Sequence, residues 1–260
     1  MAKNIVAIVQ ARMGSTRLPG KVLMEVSGKP LLWYLFNRLT HSKRVNKIIL
    51  ATSPLPEDEI LLSKVKEWGF DDYAGSLDDL LDRYYQAAKV HQADAIVRIT
   101  GDCPLIDPQI VDMVIEKFLD LGNYDLVGTN DTFPDGLDAS IFSFRAIEKA
   151  WQEAKLPSER EHVGPYIINH PELFKTQPVA NKENLSHLRW TVDEERDFEL
   201  VKVILEGLFK DGEVFYMKDI ISFLKQRQDL LEVNKGIIRN EGYLKSLAAD
   251  KEYLSKGSKN

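Results

Sequence analysis

Residues 10–21 combine side chains that could bind a polyphosphate. This stretch, QARMGSTRLPGK, directly follows the apolar run 5–9 and contains two glycines, two arginines and a lysine. Backbone N–H groups of such a loop can lie along phosphate oxygens while the cations neutralise their charge. Gly14 would allow a close approach of the backbone to the ligand. The stretch therefore predicts a loop that binds a nucleoside triphosphate.

Two common phosphate motifs do not describe this loop. A Walker loop has four residues between its glycine and its Gly-Lys pair, and Ser or Thr follows. Here five residues separate Gly14 from Gly20, and Val22 follows Lys21. The Gly-x-Gly-x-x-Gly dinucleotide fingerprint is absent as well. A basic surface turn stays open as the alternative interpretation.

Two aspartates follow apolar runs that are typical of strands. Asp102 comes after the run 95–100, and Asp193 comes after the run 188–192. If the two strands are neighbours, both carboxylates could share Mg²⁺ with a triphosphate, because this ion prefers a few carboxylates together with phosphate oxygens. Each aspartate also has a structural alternative. Asp193 could cap the helix predicted from residue 194, and Asp102 could close a turn.

The elements that must position these residues alternate between strand and helix through the first half of the chain. The patterns predict strands at 5–10, 47–52 and 95–100 and helices at 31–39, 57–68, 77–91 and 108–121, with Ser76 as the N-cap of the helix at 77–91. Such alternation is typical of parallel strands with helices on both faces, the doubly wound α/β class. Ligands of these sheets bind beyond the carboxyl ends of the strands.

The rhythm changes after residue 123. Strands are predicted at 126–129, 137–142, 173–179 and 188–192, and helices at 145–154, 159–169, 194–208 and 218–226. No linker divides the chain, so we expect one domain over 1–260. Within it, residues 1–123 would form the nucleotide-binding half, 124–192 the acceptor-facing region, and 193–260 the closing helices and tail.

Composition narrows the partners and the compartment. The chain has 260 residues and a formal net charge of −6, which argues against a nucleic-acid surface but not against a local cationic pocket. No apolar segment approaches the length of a membrane span, so we expect no membrane partner and a cytoplasmic protein. Cys103 is the one cysteine in the sequence and is interpreted as a packing residue. The apolar content of the C-terminal helices is compatible with a homodimer.

Three segments together resemble a known family. Residues 12–21, 101–105 and 190–197 are similar, in order and spacing, to three signatures of the cytidylyltransferases that activate acylneuraminate and 3-deoxy-manno-octulosonate sugars. The spore-coat polysaccharide biosynthesis protein F branch is the most similar. The resemblance spans residues 5–208. It implies a Rossmann-like nucleotidyltransferase fold, with a mixed but mostly parallel sheet flanked by helices and with CTP over the loop that follows the first strand.

The resemblance also implies roles for individual residues. Arg17, Lys21, Asp102 and Asp193 would be catalytic, and the two aspartates would hold Mg²⁺. The expected nucleotide-binding residues are Ala11, Arg12, Gly14, Ser15, Arg17, Lys21, Thr52, Ser76 and Gly101. Polar residues of the second half would bind the acceptor, and the candidates are Asp135, Arg160, His162, Tyr166 and Arg189.

The predicted reaction transfers CMP from CTP to a sugar-like or other small anionic acceptor and releases pyrophosphate. Its expected setting is surface polysaccharide biosynthesis. Val22 stands where the related enzymes usually carry an asparagine, and their typical sugar-binding residues do not map onto the middle of this chain. The acceptor is therefore left open. Three alternatives stay open too: a different triphosphate such as UTP, a glycosyltransferase of related fold, and a catalytically silent nucleotide-binding protein. The sequence contains no Asp-x-Asp motif, which weighs against the glycosyltransferase.

Overall fold

A seven-stranded sheet forms the centre of the molecule. The computed structural model describes residues 3–257, and its strands are β1 (Ile5–Gln10), β2 (Glu25–Val26), β3 (Lys29–Pro30), β4 (Lys47–Thr52), β5 (Asp71–Ala74), β6 (Ala95–Thr100), β7 (Leu126–Thr129), β8 (Ser140–Ser143) and β9 (Thr176–Val179). The sheet order is β5-β4-β1-β6-β8-β7-β9. Within this sheet, β8 is antiparallel to β6 and β7, and the other pairs are parallel. Strands β2 and β3 form a separate antiparallel pair. The predicted mixed, mostly parallel α/β sheet is therefore confirmed.

Helices cover both faces of this sheet. They are α1 (Leu31–Leu39), α2 (Glu59–Glu67), α3 (Leu80–Val90), α4 (Pro108–Leu121), α5 (Phe144–Glu153), α6 (Pro157–Glu161), α7 (Pro165–Asn169), α8 (Glu195–Leu208), α9 (Met217–Gln226) and α10 (Glu241–Gly257). Helices α1, α2 and α4 pack on one face, and α3, α5 and α7 pack on the other. Between residues 3 and 257, no helix has the length and apolar character needed to cross a bilayer.

Alternating side chains of β1 serve both cores. Ile5, Ala7 and Val9 join the cluster under α1, α2 and α4, whereas Val6 and Ile8 join the cluster under α3 and α5. A strand covered on both faces is apolar throughout, which explains why this run is so clear in the sequence. Because β4, β1 and β6 are adjacent and parallel, the loops that follow them meet at one edge of the sheet.

A third core lies beside the sheet, between residues 188–192 and helices α8 and α9. Leu188, Trp190 and Val192 are buried there. The predicted strand at 188–192 is wrong as a ladder strand, because its pairing with a neighbouring segment is limited to one bridge, between Arg189 and Asp135. The alternation of apolar and polar residues at 188–192 correctly predicted that the apolar side chains are buried. The hydrogen-bond partner, however, is a bent loop rather than a strand.

Two predicted helical features are wrong in detail. The helix at 159–169 divides into α6 and α7, since Pro165 has no N–H to continue the ladder. Helix α3 begins at Leu80, and its N-cap is Asp79 rather than Ser76. The Asp79 carboxylate accepts the N–H of Asp82 at 2.8 Å, whereas the Ser76 hydroxyl accepts the N–H of Asp79 at 3.1 Å.

Other element ends differ by a few residues from those predicted. The helix expected at 57–68 begins as a 3₁₀ turn and continues as α2, and the strands expected at 137–142 and 173–179 are observed as β8 and β9. The β2–β3 hairpin, β5 and α10 were not predicted. The end of the predicted tail, 258–260, lies outside the described residues.

Candidate nucleotide-binding and catalytic site

A cleft of about 580 Å³ opens at the carboxyl edge of the sheet. Its walls come from the loop after β1, the end of β6, the turn before α3 and the region of α6. Among the predicted site residues, it brings together Ala11, Arg12, Ser15, Arg17, Lys21, Gly101, Asp102, Arg160 and His162. The others, all within the described part of the chain, lie outside its lining: Gly14, Thr52, Ser76, Asp135, Tyr166, Arg189 and Asp193.

The loop after β1 is anchored by a residue that the sequence analysis missed. Asp58, which is fully buried, accepts the backbone N–H of Met13 at 2.7 Å and the hydroxyl of Ser53 at 2.5 Å. One carboxylate thus ties the phosphate-type loop to the end of β4. In the sequence Asp58 looked like an ordinary acidic residue at a helix start, which is a common place for aspartate. Only the fold reveals its second partner.

Lys21 joins the two predicted catalytic aspartates. Its ammonium lies 3.2 Å from Asp102 Oδ2 and 2.7 Å from Asp193 Oδ1. Burial works against the charge of Lys21, but the two carboxylates outweigh it and raise the pKa of the ammonium. For Asp193, burial likewise disfavours the charged form, but Lys21, Arg189 and Arg17 together outweigh it and lower the pKa of the carboxyl. Lys21 and Asp193 therefore stabilise each other's charged forms.

Backbone hydrogen bonds bring these aspartates together. The N–H of Val192 donates to the carbonyl of Asp102 at 2.8 Å, and the hydroxyl of Thr191 donates to the same oxygen at 3.1 Å. Asp193 follows directly. The N-cap of α8 is Glu194, so capping, the structural alternative for Asp193, does not describe its side chain.

The arginines of the site differ in whether protein groups already bind their guanidinium. Arg17 NH2 lies 3.0 Å from Asp193 Oδ2. Arg12 lines the cleft, is exposed, and makes no hydrogen bond or ion pair with any side chain of residues 3–257. Arg83, which was not predicted, is buried in the same lining and donates to the carbonyl of Ser76 at 2.6 and 2.8 Å. Burial lowers the pKa of Arg83, and the charge of Arg12 lowers it further.

The donor set of Asp102 and Asp193 fits a divalent cation. Their carboxylates converge on the ammonium of Lys21, which shows that one positive centre can reach both. Within residues 3–257 no group of three or more His, Cys, Asp or Glu side chains is arranged to hold a metal ion. Two carboxylates suit Mg²⁺, which completes its shell with water and substrate phosphates.

A buried network fixes the orientation of Asp193. Arg189 donates from NH1 to Asp135 Oδ2 at 2.5 Å, from NH2 to Asp193 Oδ2 at 2.8 Å and from Nε to Asp197 Oδ1 at 3.0 Å. The amide of Asn234 donates to Asp197 Oδ1 at 2.9 Å. Burial opposes the charge of Arg189, but Asp197, Asp135 and Asp193 together outweigh it and raise the pKa of the guanidinium. Arg189 is thus engaged by protein carboxylates.

Two glycines are required by close approaches around this network. A Cβ on Gly101 would lie 2.7 Å from Ala11 Cβ, because the ends of β6 and β1 meet there. A Cβ on Gly136 would lie 2.5 Å from the nitrogen of Thr191. The φ of Gly136, 102°, is also in a region that side chains disfavour. In contrast, a Cβ on Gly14 would meet nothing within 4 Å.

Thr52 and Ser76, two of the expected nucleotide-binding residues, face the protein. Thr52 is fully buried, and its hydroxyl has no hydrogen-bond partner among the described residues. The Ser76 side chain accepts from the N–H of Asp79. Both lie outside the cleft lining.

Three further predicted acceptor residues, Arg160, His162 and Tyr166, are divided between the cleft and the core. Arg160 and His162 line the cleft, but Arg160 binds Asp79 and donates to the carbonyl of Trp151 at 2.7 Å. Tyr166 packs in the core under α3 and α5 and donates its hydroxyl to Glu153 at 2.7 Å. His162 Nε2 lies 2.9 Å from the Ser246 hydroxyl.

Cys103 lies directly behind Asp102. Its thiol is buried and lies 3.0 Å from the Thr100 hydroxyl. Burial, reinforced by the charge of Asp102, raises the pKa of the Cys103 thiol well above its usual value. A thiol of this kind is a packing group rather than a nucleophile.

Comparison with known proteins agrees with this geometry. The cytidylyltransferase family model matches residues 6–235, and the chain belongs to that family. It is 31% identical to the spore coat polysaccharide biosynthesis protein SpsF of Bacillus subtilis over 239 residues, covering 87% of this chain and 96% of that protein. It is 37% identical to the 3-deoxy-manno-octulosonate cytidylyltransferase of Trichlorobacter lovleyi over 118 residues, 45% of each chain.

A solved structure shares nearly the whole fold. The cytidylyltransferase of Leptospira borgpetersenii superposes with a TM-score of 0.84 at 33% identity, covering 91% of this chain and all of that one. The predicted resemblance to the cytidylyltransferases is therefore confirmed. The protein is an enzyme of the nucleotidyltransferase class.

Proposed function

We propose that the enzyme transfers the cytidylyl group of CTP to an oxygen of a sugar-like or other small anionic acceptor. In this reaction the acceptor oxygen forms a bond to the α-phosphorus, the bond from that phosphorus to the bridging oxygen breaks, and pyrophosphate leaves. One observation supports the proposal most: Lys21 holds Asp102 and Asp193 together at the mouth of the cation-lined cleft.

The loop after β1 would bind the triphosphate. Arg12 offers a guanidinium with no partner in the described chain, and Gly14 leaves open space beside its backbone. Phosphoryl transfer depends mainly on positioning and on neutralising charge. Arg17 and Lys21 would therefore stabilise the charge that develops on the leaving pyrophosphate.

Asp102 and Asp193 would hold Mg²⁺. When bound, this ion supplies positive charge that neutralises and orients phosphate oxygens. The chain prepares for it by pointing both carboxylates at one place and by lowering the pKa of Asp193. Lys21, relieved of one or both carboxylates, would turn its charge towards the phosphates.

The acceptor would enter from the side of α6. His162 lines this part of the cleft, and burial lowers the pKa of its imidazole, so a neutral ring is available there at pH 7. Asp135 and Arg189 would act on the acceptor indirectly, since both are engaged in the network behind Asp193. The names of the relatives, a spore coat polysaccharide biosynthesis protein and a 3-deoxy-manno-octulosonate cytidylyltransferase, support a role in surface polysaccharide biosynthesis.

A pyrophosphate-release assay tests the proposal. Each of the four ribonucleoside triphosphates is supplied with Mg²⁺ and with pools of acidic sugars or phosphorylated small molecules. The expected result is release that requires CTP and one acceptor pool and that is nearly abolished in Asp193→Asn. Asp219→Asn is a matched control, because Asp219 is an N-terminal acid of the neighbouring helix α9 and is not part of the cleft lining.

Other outcomes would contradict specific parts. Pyrophosphate release that prefers UTP would refute CTP as the nucleotide substrate. Consumption of a sugar nucleotide without pyrophosphate release would indicate a glycosyltransferase. CTP binding that needs no Mg²⁺, with no turnover in any pool, would favour a catalytically silent protein. Full activity of Asp193→Asn would remove that residue from the catalytic centre.

A further inference from the structure

Helix α10 lies beyond residue 235, where the family match ends, yet it is fastened to the wall of the cleft. Two of its side chains, Ser246 and Asp250, are polar and buried. Asp250 accepts the N–H of Ser158 at 2.9 Å and its hydroxyl at 2.6 Å. Ser246 lies 2.9 Å from His162 Nε2. Since Pro157 to His162 contribute to the cleft lining, α10 is held by the same segment that borders the site.

The first turn of α10 reaches the phosphate-type loop. Glu241 Oε2 lies 3.2 Å from Arg17 NH1, and each side chain is about one-third exposed (36% and 32%). Arg17 also contacts Asp193 at 3.0 Å and lies 3.9 Å from Glu194. The arginine assigned to the leaving pyrophosphate is therefore surrounded by three carboxylates. Asp193 is one of the two predicted metal ligands, and Glu194 is the N-cap of α8. Glu241 has neither role and comes from a different helix, α10.

We propose that Glu241 is a positioning residue that restrains Arg17 in the free enzyme and gives way when the triphosphate binds. This inference rests on the proposed function, since it assumes that Arg17 binds phosphate oxygens. Glu241 and a phosphate are both anions and compete for the same guanidinium. The exchange sets how tightly CTP binds and leaves the bonds made and broken at the α-phosphorus unchanged.

The chain offers a matched control on the same helix. Glu241 and Lys245 form an i,i+4 ion pair at 2.7 Å, and Glu252 and Lys256 form another i,i+4 pair, also at 2.7 Å. The two glutamates thus share helix, spacing and lysine partner. The contact with Arg17 distinguishes Glu241.

The experiment compares Glu241→Gln with Glu252→Gln in the full-length enzyme. CTP binding is measured by calorimetry with Mg²⁺ present, at low and high salt. An exposed ion pair that must be broken for binding weakens affinity by about two- to fivefold, so Glu241→Gln should bind CTP that much more tightly than the control. The gain should shrink at high salt, because exposed charges are screened.

A second comparison, made in an Arg17→Gln variant, separates the restraint of Arg17 by Glu241 from a merely structural role of Glu241. In Arg17→Gln, the further change Glu241→Gln should lose its effect on CTP affinity. In the turnover assay, Glu241→Gln should lower KM for CTP without raising kcat. A loosened helix would instead weaken binding or leave it unchanged.

The outcomes also separate this proposal from the proposed function. If the unaltered enzyme binds no CTP, both proposals fail. If it binds CTP and the two glutamine variants have equal affinity, the role of Glu241 alone is refuted. An equal gain from Glu241→Gln with and without Arg17 would likewise refute it, because the effect would then be general charge removal.

Discussion

Replacement of Asp197 by asparagine tests whether the buried network behind Asp193 stabilises the fold. Asp197 has no exposed surface and accepts five hydrogen bonds: two from Arg189 and one each from the N–H of Asp193, the N–H of Glu194 and the amide of Asn234. Asparagine keeps one oxygen but turns an NH₂ group towards these donors. The change also leaves the charge of Arg189 less compensated in a buried place.

The expected loss of stability in Asp197→Asn follows from the burial of the Asp197 carboxylate. Breaking a buried ion pair by altering one partner costs about 3–5 kcal/mol, and the retained oxygen of asparagine places the expected loss near the lower end, about 3 kcal/mol. For a chain of this size, each kcal/mol lowers Tm by about 2–4 °C, so the expected fall is about 6–12 °C. Thermal unfolding followed by circular dichroism measures it.

Asp219→Asn is the matched control for this prediction. Asp219 occupies the corresponding position of α9 and accepts the N–H of Tyr216 at 2.8 Å, but among residues 3–257 it forms no hydrogen bond or ion pair with an arginine. Loss of such a cap costs about 1 kcal/mol. The Asp197 variant should therefore be less stable than the Asp219 variant by about 2 kcal/mol. Equal melting temperatures would refute the argument that Arg189 and its partners form a stabilising buried network.

Three further results are expected. Gly14→Ala should leave Tm unchanged, since the new Cβ meets nothing within 4 Å, but should weaken CTP binding in a titration; unaltered CTP binding would show that the phosphates do not approach this backbone. Gly136→Ala should lower the free energy of unfolding by at least about 2 kcal/mol in urea, because its φ is 102° and the Cβ would lie 2.5 Å from Thr191; near-normal stability would mean that the loop adapts freely. Cys103 should react slowly with iodoacetamide at pH 8 and fully after unfolding, because burial raises the pKa of its thiol. Rapid native alkylation would contradict its burial.

The first half of the fold was predictable because its strands are buried on both faces. The strands at 5–10, 47–52 and 95–100 have the predicted ends, since apolar runs bounded by polar loops leave little freedom in the assignment. The segment 188–192 shows the limit of that method. Its alternation identified the buried side chains, but a single bridge to Asp135 replaces a ladder. Periodicity reports which face is buried and does not report what pairs with the backbone.

Helix α10 escaped prediction for a related reason. Its buried contacts are made by Ser246 and Asp250, while Leu244 and Tyr253 are exposed. The helix therefore lacks the apolar stripe by which an amphipathic helix is recognised. It is held in place by hydrogen bonds of Asp250 with Ser158 and of Ser246 with His162. These are tertiary contacts, which local sequence patterns do not reveal.

The site follows the same division. Residues near each other in the sequence, such as Arg17 and Lys21, were identified from one loop. Asp58 and Asn234 were missed, because their importance lies in contacts across the fold: Asp58 with the N–H of Met13, and Asn234 with Asp197. Single aspartates and asparagines are common in turns and caps, so their types alone carry little information about such contacts.

Under the proposed function, paired charges explain how a chain of net charge −6 would bind a triphosphate. In the free enzyme Lys21 is held by Asp102 and Asp193, and Arg17 by Asp193 and Glu241. These pairings keep the cations in place and balance their charge. A triphosphate that arrives with a divalent cation can exchange partners with each pair, so little net charge has to be desolvated without compensation. Nucleotide and metal ion should therefore bind far better together than either does alone.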